Sequence, residues 1–588
     1  MARFRSKTAL AEVGDESVSE PRMLAAPDPD LTRIGQLLLQ RDAVTTLQLG
    51  AALRAAGSET APFVDHLVGD GADRHVVLRC VAEVHGVESA DGRSLTPSPT
   101  VQGALVESVV RQHQAIPIDE ADGRLTILTS EPKRASRDQV EAAAAQPVRW
   151  IVGDSMTVRT LIDRTYRSDE QIERLVKAFE TTNEQRAAAT AARDAADLLT
   201  EDSAPVVQVV NRIVTQALRD RTSDIHIEAL DDRVRVRFRI DGALVDAFSL
   251  PSGIHLALIS RLKIMAGMNI VERRRPQDGQ FSLTVDSRDV DVRVSSVSTV
   301  FGEKMVLRLL DKGRSLIGLS QLGFPRDTYE DFSAMAHSPF GMVLCAGPTG
   351  AGKTTTLYAT LGEINSTGKN VTTIEDPVEY VFPGINQIQT NEAAGLTFAT
   401  GLKAILRQDP DVILVGEIRD VDTARIAIQS ALTGHLVLSS VHGTDAVAAL
   451  HRFLDMGIES FLIASSVIGV VGQRLLRRIC DNCREPYRPP AQEVGFYERN
   501  GGYPKGEFFH GRGCELCAGT GYRDRIGIYE LLRITPELRR LVVGWATQDE
   551  LRKLAVAQGM RTLAMEALAL VDQDITTIPE VIRTLFGN

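Results

Sequence analysis

The sequence has no apolar run of the roughly 18–20 residues that a membrane-spanning helix needs. The longest candidate, FLIASSVIGVV at 461–471, is short and interrupted by serines, so we interpret it as a buried helix. Residues 1–21 also lack the apolar core of a secretory signal. These absences predict a cytoplasmic protein whose association with a membrane is peripheral.

An excess of positive charge is absent as well. The 66 Lys and Arg residues are outnumbered by 77 Asp and Glu residues, which gives a formal net charge of -11. A negative chain is a poor general binder of nucleic acid, although a local basic groove remains compatible with it. The length of 588 residues is too great for one core and predicts three or four domains.

Cysteine is scarce, and its placement is informative. Two of the six cysteines, Cys80 and Cys345, stand alone in apolar surroundings, and we interpret them as packed thiols. The other four form the pattern C-x₂-C-x₃₀-C-x₂-C: Cys480, Cys483, Cys514 and Cys517. Four thiolates in two such pairs bind Zn²⁺ tetrahedrally, so we predict a closed, structural zinc site. The alternative, four free thiols, does not account for the paired spacing.

Shifts in composition and hydrophobic pattern divide the chain into seven parts. We predict a disordered segment (1–30), a small α/β domain that begins with two amphipathic helices (31–166), a linker with helical tendency (167–204), an α+β domain (205–330), an α/β parallel-sheet core (331–475), a cysteine-containing subdomain (476–525) and a helical C-terminal region (526–588). For 167–204, a helix packed on a neighbouring element is an equally good interpretation.

The segment RVRVRFRIDGALVDAF at 233–248 alternates basic and apolar residues and then reaches Asp241-Gly242. This pattern predicts a strand and a hairpin with one charged face. The face carries four arginines: Arg233, Arg235, Arg237 and Arg239.

A phosphate-binding loop follows a predicted strand at 343–346. Its residues fit G-x-x-x-x-G-K-[ST] and continue into a predicted helix from Lys353: Gly347, Pro348, Thr349, Gly350, Ala351, Gly352, Lys353, Thr354 and Thr355. Glycines allow the backbone N–H groups to surround phosphates, and the helix N-terminus adds partial positive charge. Lys353 can reach the β- and γ-phosphates, and the Thr354 hydroxyl can ligate Mg²⁺.

Acidic residues follow two further predicted strands. The run VILV at 412–415 leads to Glu417, and TTI at 372–374 leads to Glu375, Asp376 and Glu379. Ligands bind at the carboxyl edge of parallel α/β sheets, so we expect these acids near the phosphates. Asp411 precedes its strand and is expected to cap a helix or form a salt bridge. Asp420, next to Arg419, is expected to form a turn or an interface pair.

Two histidines, His435 and His442, bracket another predicted core strand, 436–440. Lone histidines are usually structural, but a pair at the ends of a core strand in a nucleotide-binding domain favours a functional role.

Taken together, these motifs resemble the secretion-superfamily ATPases, namely the type II secretion ATPases and the type IV pilus assembly ATPases. The resemblance rests on GPTGAGKTTTLY, TIEDPVE, LRQDPDVILVGEIRD and TGHLVLSSVH, and on SDIHIE, VRFRIDG, RRRPQDGQF and GEKMVLRLL before them. It is strong over 205–588 and weak over 31–166. It implies a RecA-like P-loop core, a preceding PAS-like α+β domain, a zinc-binding insertion and a hexameric ring, with ATP held between domains of neighbouring subunits.

The resemblance also implies roles for individual residues. Lys353 and Thr354 hold phosphate and Mg²⁺, Glu379 is the general base for water, and Glu417 acts on Mg²⁺ through water. His435 and His442 sense the γ-phosphate or organise loops.

Cations must stabilise the charge that develops in phosphoryl transfer. Arg293 and Arg308 match the arginines that the family's preceding domain supplies; a solvated sheet face is the alternative. Lys403 and Arg407 match two further basic positions, although Lys403 stands where the family commonly has arginine.

The family implies an ATP hydrolase that powers assembly of a type IV pilus or a type II secretion pseudopilus at the inner membrane. Its implied partners are an inner-membrane platform protein and a cytoplasmic adaptor bound by the N-terminal domain, and we expect no direct contact with nucleic acid. Two alternatives stay open: a DNA-uptake or nucleic-acid-translocating motor with the same core, and a nucleotide-gated scaffold without turnover. Residues 33–53 also resemble the start of a cyclic-di-GMP-binding module, without a convincing second half.

Overall fold

The computed structural model describes residues 28–90, 95, 97–101, 103–166, 172, 176, 205–285, 288–311 and 317–587. These residues fall into two compact units, Met1–Tyr166 and Arg167–Asn588. Most of the predicted disordered segment (1–30) and of the predicted linker (167–204) lies outside the described residues. The first helix begins at Pro29, inside 1–30, because the Asp28 carboxylate caps it by accepting from the Asp30 N–H at 2.9 Å.

The first unit combines helices with one small sheet. Its helices are α1 (Pro29–Gln40), α2 (Thr46–Ala56), α3 (Thr60–Gly69), α4 (Arg74–His85), α5 (Glu107–His113), α6 (Arg134–Ala144) and α7 (Ser155–Thr165). Its strands are β1 (Glu88–Ser89), β2 (Ala115–Ala121), β3 (Arg124–Thr129) and β4 (Val148–Val152), in the order β1-β4-β3-β2. The two predicted amphipathic helices are α1 and α2, and two further helices follow before the sheet.

The second unit begins with a six-stranded antiparallel sheet in the order β7-β6-β5-β10-β9-β8. Its strands are β5 (Asp224–Ala229), β6 (Arg233–Ile240), β7 (Ala243–Pro251), β8 (Gln277–Val285), β9 (Arg288–Thr299) and β10 (Gly302–Asp311), with helices α8 (Pro205–Arg219) and α9 (His255–Met265). The predicted hairpin turn is present. Asp241 and Gly242 both have positive φ, 48° and 86°, as a two-residue turn that matches the twist of its strands requires.

The charged face of this sheet is not simply basic. Glu228 on β5 forms ion pairs with Arg235, Arg237 and Lys304 at 2.8–3.0 Å. Burial raises the pKa of Glu228, but the hydrogen bonds from these cations outweigh burial and lower the pKa to about 2. The sequence pattern showed the cations of β6, but it could not show that one acid of the neighbouring strand would pair with two of them.

A seven-stranded sheet forms the core of the second unit, in the order β13-β12-β14-β15-β11-β16-β19. Its strands are β11 (Gly341–Ala346), β12 (Val371–Glu375), β13 (Asn386–Gln389), β14 (Val412–Val415), β15 (Leu436–Val441), β16 (Val467–Ile479) and β19 (Tyr522–Arg533). All neighbouring pairs are parallel except β16 and β19. The predicted α/β parallel-sheet fold is confirmed.

Helices cover both faces of this sheet. They are α10 (Arg326–Ala336), α11 (Lys353–Ile364), α12 (Phe398–Ile405), α13 (Val421–Leu432), α14 (Ala446–Asp455) and α15 (Ser460–Ser466). Alternate residues of β11 enter two separate apolar clusters, Met342 and Leu344 in one and Val343 and Cys345 in the other. The sheet is therefore buried on both faces, as strands of continuous apolar sequence require.

Two predictions about the end of the core were wrong. Residues 461–471 are not one helix, because α15 ends at Ser466 and β16 begins at Val467, where Val and Ile residues that favour strands accumulate. Residues 526–533 are not helical either, because β19 returns to the core sheet and pairs with β16. The cysteine subdomain is thus inserted between two neighbouring strands of one sheet.

The remaining elements form the insertion and the C-terminal helices. The insertion contains β17 (Arg484–Tyr487), α16 (Ala491–Arg499) and β18 (Phe508–Gly511), and the C-terminal region contains α17 (Pro536–Val543), α18 (Gln548–Ala557), α19 (Leu563–Asp572) and α20 (Ile578–Val581). Among all the residues described, no helix combines the length and the apolarity that crossing a membrane requires.

We expect Glu228→Gln to lower the free energy of unfolding of the six-stranded sheet by about 1–3 kcal/mol, because a neutral amide leaves three partly buried cations unpaired. Native-state hydrogen exchange of the β5 and β6 amides measures this difference. The pKa of Glu228 is depressed to about 2 from 4.5, so the carboxylate's contribution is complete above the ordinary value and disappears as pH falls towards the folded one.

The matched control is Asp232→Asn, because Asp232 is exposed and lies 3.9 Å from Arg233. It should change the stability by less than about 0.5 kcal/mol. Equal exchange rates for Glu228→Gln and the wild type at neutral pH would contradict the assigned role of the Glu228 network.

Candidate functional site

The predicted phosphate loop lies between β11 and α11. Gly350 and Gly352 have φ values of 77° and 88°, a region that L side chains rarely adopt. A Cβ on Gly347 would lie 2.8 Å from both the Ala351 Cβ and the Gln473 main-chain oxygen. The glycines of the motif are therefore needed for the curvature of the loop and for its close packing on β16.

Lys353, the first residue of α11, closes this loop. Its Nζ donates to the main-chain oxygens of Gly347 and Pro348 at 2.9 and 3.0 Å. Burial lowers the pKa of Lys353, and the charge of Glu417 opposes that shift. The next two side chains, Thr354 and Thr355, are exposed at the start of the helix. The site thus places one half-buried ammonium and two exposed hydroxyls around the loop.

Parallel register brings Glu417 and His442 to the same edge. Ala346 of β11 pairs with Val441 of β15, and Val415 of β14 pairs with Ser439 of β15. The segments that follow these three strands therefore emerge together. His442 Nε2 lies 3.6 Å from Glu417 Oε2, and Arg419 donates a hydrogen bond to the other oxygen of that carboxylate.

The acids near Glu417 have other roles. Asp411 lies at the amino end of β14, where its carboxylate accepts from the Asn370 N–H at 2.7 Å, so it is away from the phosphate loop as predicted. Asp420 was predicted to form a turn or an interface pair; instead it caps α13 by accepting from the Thr423 N–H at 2.8 Å. Arg419 pairs with Glu417 rather than with Asp420.

Glu379 meets an arginine from the other sheet of the second unit. Arg293 Nη1, on β9, lies 3.4 Å from Glu379 Oε2, and Arg293 Nη2 donates to the Val378 main-chain oxygen at 3.3 Å. The resemblance implied that arginines of this domain would serve a neighbouring subunit. In the structure the meeting occurs within one chain.

A tyrosine that the sequence analysis missed supports Glu379. The Tyr358 hydroxyl, on α11, accepts from the Glu379 N–H at 3.2 Å and donates to the buried Glu375 carboxylate. Burial and this hydrogen bond raise the pKa of Tyr358. The signal in the sequence was weak, because Tyr358 occupies an apolar helix position within TTTLYATL and only its hydroxyl marks it as more than a core residue.

Arg308 lies beside Arg293 but does not reach Glu379. The two arginines pair in register on β10 and β9, and Arg308 Nε donates to Asp224 Oδ1 at 3.0 Å. The side chain of Arg308 is 59% exposed. Arg308 therefore lies exposed on an inner strand, next to the strand that carries Arg293.

The structure does not bring His435 or Arg407 to the site. His435 precedes β15, whose six residues place it about 20 Å from the phosphate edge. Its Nδ1 lies 3.0 Å from the Ser430 main-chain oxygen, and it closes the connection from α13. Arg407 is exposed between α12 and β14, also at the amino end of the strands. Two histidines that bracket one strand lie at opposite edges of the sheet, so the prediction that both reach the phosphates overlooked the direction of β15.

The four paired cysteines converge in the insertion. All four Sγ atoms lie within 4.8 Å of one another, and three of the separations are 3.6, 3.8 and 3.9 Å. Four sulfurs bound tetrahedrally at 2.3 Å from a metal would lie about 3.8 Å apart. The N–H groups of Cys514 and Gly521 donate to the Cys517 sulfur, which favours a thiolate there. The cluster therefore fits a tetrahedral metal site.

The fold and this edge define a P-loop nucleotide-binding protein with acids, histidine and arginine around the loop. The family described as "Type II/IV secretion system protein" matches residues 199–583, and "MshEN domain" matches residues 85–172. The second match does not include 33–53, where the sequence suggested a cyclic-di-GMP motif.

Curated relatives agree with these matches. Type II secretion system protein E of Xanthomonas campestris is 39% identical over 94% of this chain and 98% of its own. Type IV pilus assembly ATPase PilB of Myxococcus xanthus is 36% identical over the same shares, and HxcR of Pseudomonas aeruginosa is 47% identical over 66% of this chain and 79% of its own. The chain belongs to the type II/IV secretion ATPase family.

Proposed function

We propose that this chain hydrolyses ATP to power assembly of a type IV pilus or a type II secretion pseudopilus. The observation that carries the proposal is the contact between Arg293 of the six-stranded sheet and Glu379 of the core domain. Glu379 follows β12 at the carboxyl end of the core strands, the edge that also holds Lys353, Glu417 and His442. This set supplies what phosphoryl transfer requires: a phosphate cradle, a metal-side acid, a water-orienting base and a cation for developing charge. The names of the relatives from Xanthomonas and Myxococcus support the pathway.

Binding begins with exchange of partners at the phosphate loop. Lys353 donates to two loop carbonyls, and these are weaker acceptors than the charged oxygens of a nucleotide. Phosphate oxygens replace those carbonyls, while the loop N–H groups and the start of α11 bind from the other side. The half-buried position of Lys353 strengthens this contact because less water screens it.

Thr354 and Glu417 are suited to hold Mg²⁺. Both provide oxygen ligands, which this ion prefers, and Glu417 lies close enough to Lys353 for its charge to oppose the lowering of the lysine pKa. Bound there, Mg²⁺ would neutralise charge on the phosphates. Arg419 releases the Glu417 carboxylate for this role, and its exposed side chain is free to move.

Glu379 acts as the general base. While Arg293 pairs with it, the carboxylate faces the guanidinium and not a water molecule. Phosphate charge attracts Arg293 away, which frees Glu379 to orient and deprotonate water. Tyr358 keeps the main chain of Glu379 in place during this exchange. Arg308, the register neighbour of Arg293, adds a second cation to the same face.

The chain works in this proposal as a homohexamer at the inner face of the plasma membrane. The first unit binds a cytoplasmic adaptor, and a membrane platform protein receives the motion. Arg407 lies exposed at the edge opposite its own phosphate loop, so it serves the site of a neighbouring chain. His435 keeps a structural role at the α13–β15 connection.

No observation favours the alternative of a nucleic-acid motor. That reading relied on the four arginines of β6, and each of them pairs with an acid: Arg233 with Asp232, Arg235 and Arg237 with Glu228, and Arg239 with Asp224.

We expect the purified wild type to hydrolyse ATP, and we expect Glu379→Gln to lower kcat by about 10²–10⁴-fold while ATP still binds, because the amide cannot accept the proton from water. Lys353→Ala should weaken ATP binding as well, since it removes a phosphate ligand. Steady-state phosphate release and binding of a fluorescent ATP analogue separate the two effects.

The control is Glu392→Gln, an exposed acid of the segment that follows β13, which should leave kcat unchanged. Wild-type turnover by Glu379→Gln would show that the base is assigned wrongly. Absence of ATP hydrolysis by the wild type, alone and with membranes, would refute the function itself.

The cysteine cluster holds structural Zn²⁺ in this proposal. Thiolate sulfur suits zinc, and four protein ligands leave no open position for catalysis. The cluster joins the end of β16, next to Cys480, to the start of β19, through the Cys480 N–H bond to the Gly521 oxygen. Zinc therefore holds together the C-terminal end of β16 and the N-terminal end of β19, while the rest of both strands pairs within the core sheet.

Removal of the metal should destabilise this part of the chain. We expect about one zinc per chain in the wild type and less than half of that in Cys483→Ser, because one thiolate of four is lost. Elemental analysis measures the content, and thermal melting with and without a chelator measures the stability. Cys80→Ala is the control and should keep its zinc. Full zinc content in Cys483→Ser would contradict the site.

A further inference from the structure

The turn that follows His442 is held by side chains from three separate elements. Arg474 Nη2, on β16, donates to the Thr444 main-chain oxygen at 2.6 Å. Glu530 Oε1, on β19, accepts from the Ala446 N–H at 3.1 Å, and Arg552 Nη2, on α18, pairs with the Asp445 carboxylate at 2.9 Å. We call residues 443–446 the sensor turn. The position of this turn therefore depends on side chains of β16, β19 and α18, all of which follow the turn in the sequence.

Arg474 is the member of this set that also touches the phosphate loop. A Cβ built on Gly347 would lie 3.6 Å from Arg474 Nη1, so the guanidinium packs against the first residue of the loop. Arg474 therefore spans from β16, past the end of β11, to the turn after β15, three neighbouring strands of the sheet. It joins the sensor turn to the base of the loop.

The charge of Arg474 is not used in an ion pair with any residue that the structure describes. Both of its hydrogen bonds, to Thr444 and to the Gln473 main-chain oxygen, go to neutral carbonyls. Burial lowers the pKa of Arg474, and the charges of Asp445 and Glu530 oppose that shift. The planar guanidinium reaches these two carbonyls with two different nitrogens, which the single ammonium of a lysine cannot do in the same geometry.

His442 depends on the sensor turn for its place. Across the described part of the chain, Glu417 at 3.6 Å is the one polar partner of the His442 ring, which is 44% exposed. At 3.6 Å this contact is longer than a hydrogen bond, and no other described residue holds the ring with one. Its distance from Glu417 is therefore set by the backbone that continues into Gly443, where a Cβ would lie 3.0–3.2 Å from Ala449.

We propose that Arg474 is a positioning residue for ATP hydrolysis: it fixes the sensor turn against the phosphate loop and thereby holds His442 beside Glu417. This inference rests on the proposed ATPase function. It assigns to Arg474 an effect on turnover that is transmitted through His442, and not a direct contact with phosphate.

The test is a double-mutant cycle in the full-length chain with Arg474→Gln and His442→Ala. We expect Arg474→Gln to lower kcat by about 10–100-fold, because small displacements of a catalytic group have effects of this size. The KM for ATP and the binding of a fluorescent ATP analogue should stay within about twofold. Since Arg474 acts through His442, the double variant should be within about threefold of the slower single variant.

Controls separate this role from loss of structure. Arg478→Gln removes an exposed arginine of the same strand and should leave kcat unchanged. Arg474→Lys keeps the charge but reaches one carbonyl only, so its kcat should lie between those of Arg474→Gln and the wild type. If Arg474→Gln does not fold, a lowered kcat with an unchanged KM in Arg474→Lys supports the inference, and wild-type kcat in Arg474→Lys contradicts it.

Two results would overturn the inference while wild-type hydrolysis stands. Multiplicative losses of kcat in the double variant would show that Arg474 acts independently of His442. A rise in KM that matches the loss in kcat/KM, with kcat unchanged, would show that Arg474 binds the nucleotide itself. Failure of the wild type to hydrolyse ATP would instead refute the proposed function, so the two failures are distinguishable.

Discussion

The contact between Arg293 and Glu379 is the interaction on which the proposed catalytic site depends. It joins the six-stranded sheet to the seven-stranded sheet at the loop that follows β12. Arg293 and Glu379 are both partly buried, and each is the other's charged partner in this structure. In the proposed function, the phosphates of a nucleotide give Arg293 a more highly charged partner than Glu379. The proposed function therefore requires Arg293 to leave Glu379 when a nucleotide binds.

Parallel register explains which residues can take part. Strands β11, β14 and β15 end at one edge, so Gly347, Glu417 and His442 are neighbours although they lie far apart in sequence. Asp411 and His435 lie at the other edge for the same reason. Reading strand ends from the sequence correctly separated Asp411 from Glu417. The same reasoning, applied to β15, would have separated His435 from His442.

What the sequence could not show were the contacts between elements. The P-loop, the acidic residues and the paired cysteines are local patterns, and each was predicted with its strand or helix. Tyr358 beneath Glu379, Glu228 among three cations, and β19 returning to pair with β16 depend on the packing of distant segments. Because β16 and β19 pair, the two strands that lead to the cysteine insertion belong to the core sheet. Gln473 on β16 donates to the Ala351 main-chain oxygen of the phosphate loop, and Glu530 on β19 accepts from Ala446 of the sensor turn.

The central claim is that one chain supplies both Arg293 and the phosphate loop that it serves. It is tested by mixing two inactive variants, Arg293→Ala and Lys353→Ala, under conditions that allow subunits to exchange, and by measuring ATP hydrolysis. If the site is built within one chain, no chain in the mixture has both groups, and the mixture stays as inactive as its components. Recovery of ATPase activity on mixing would show that the arginine acts across a subunit boundary and would contradict the account.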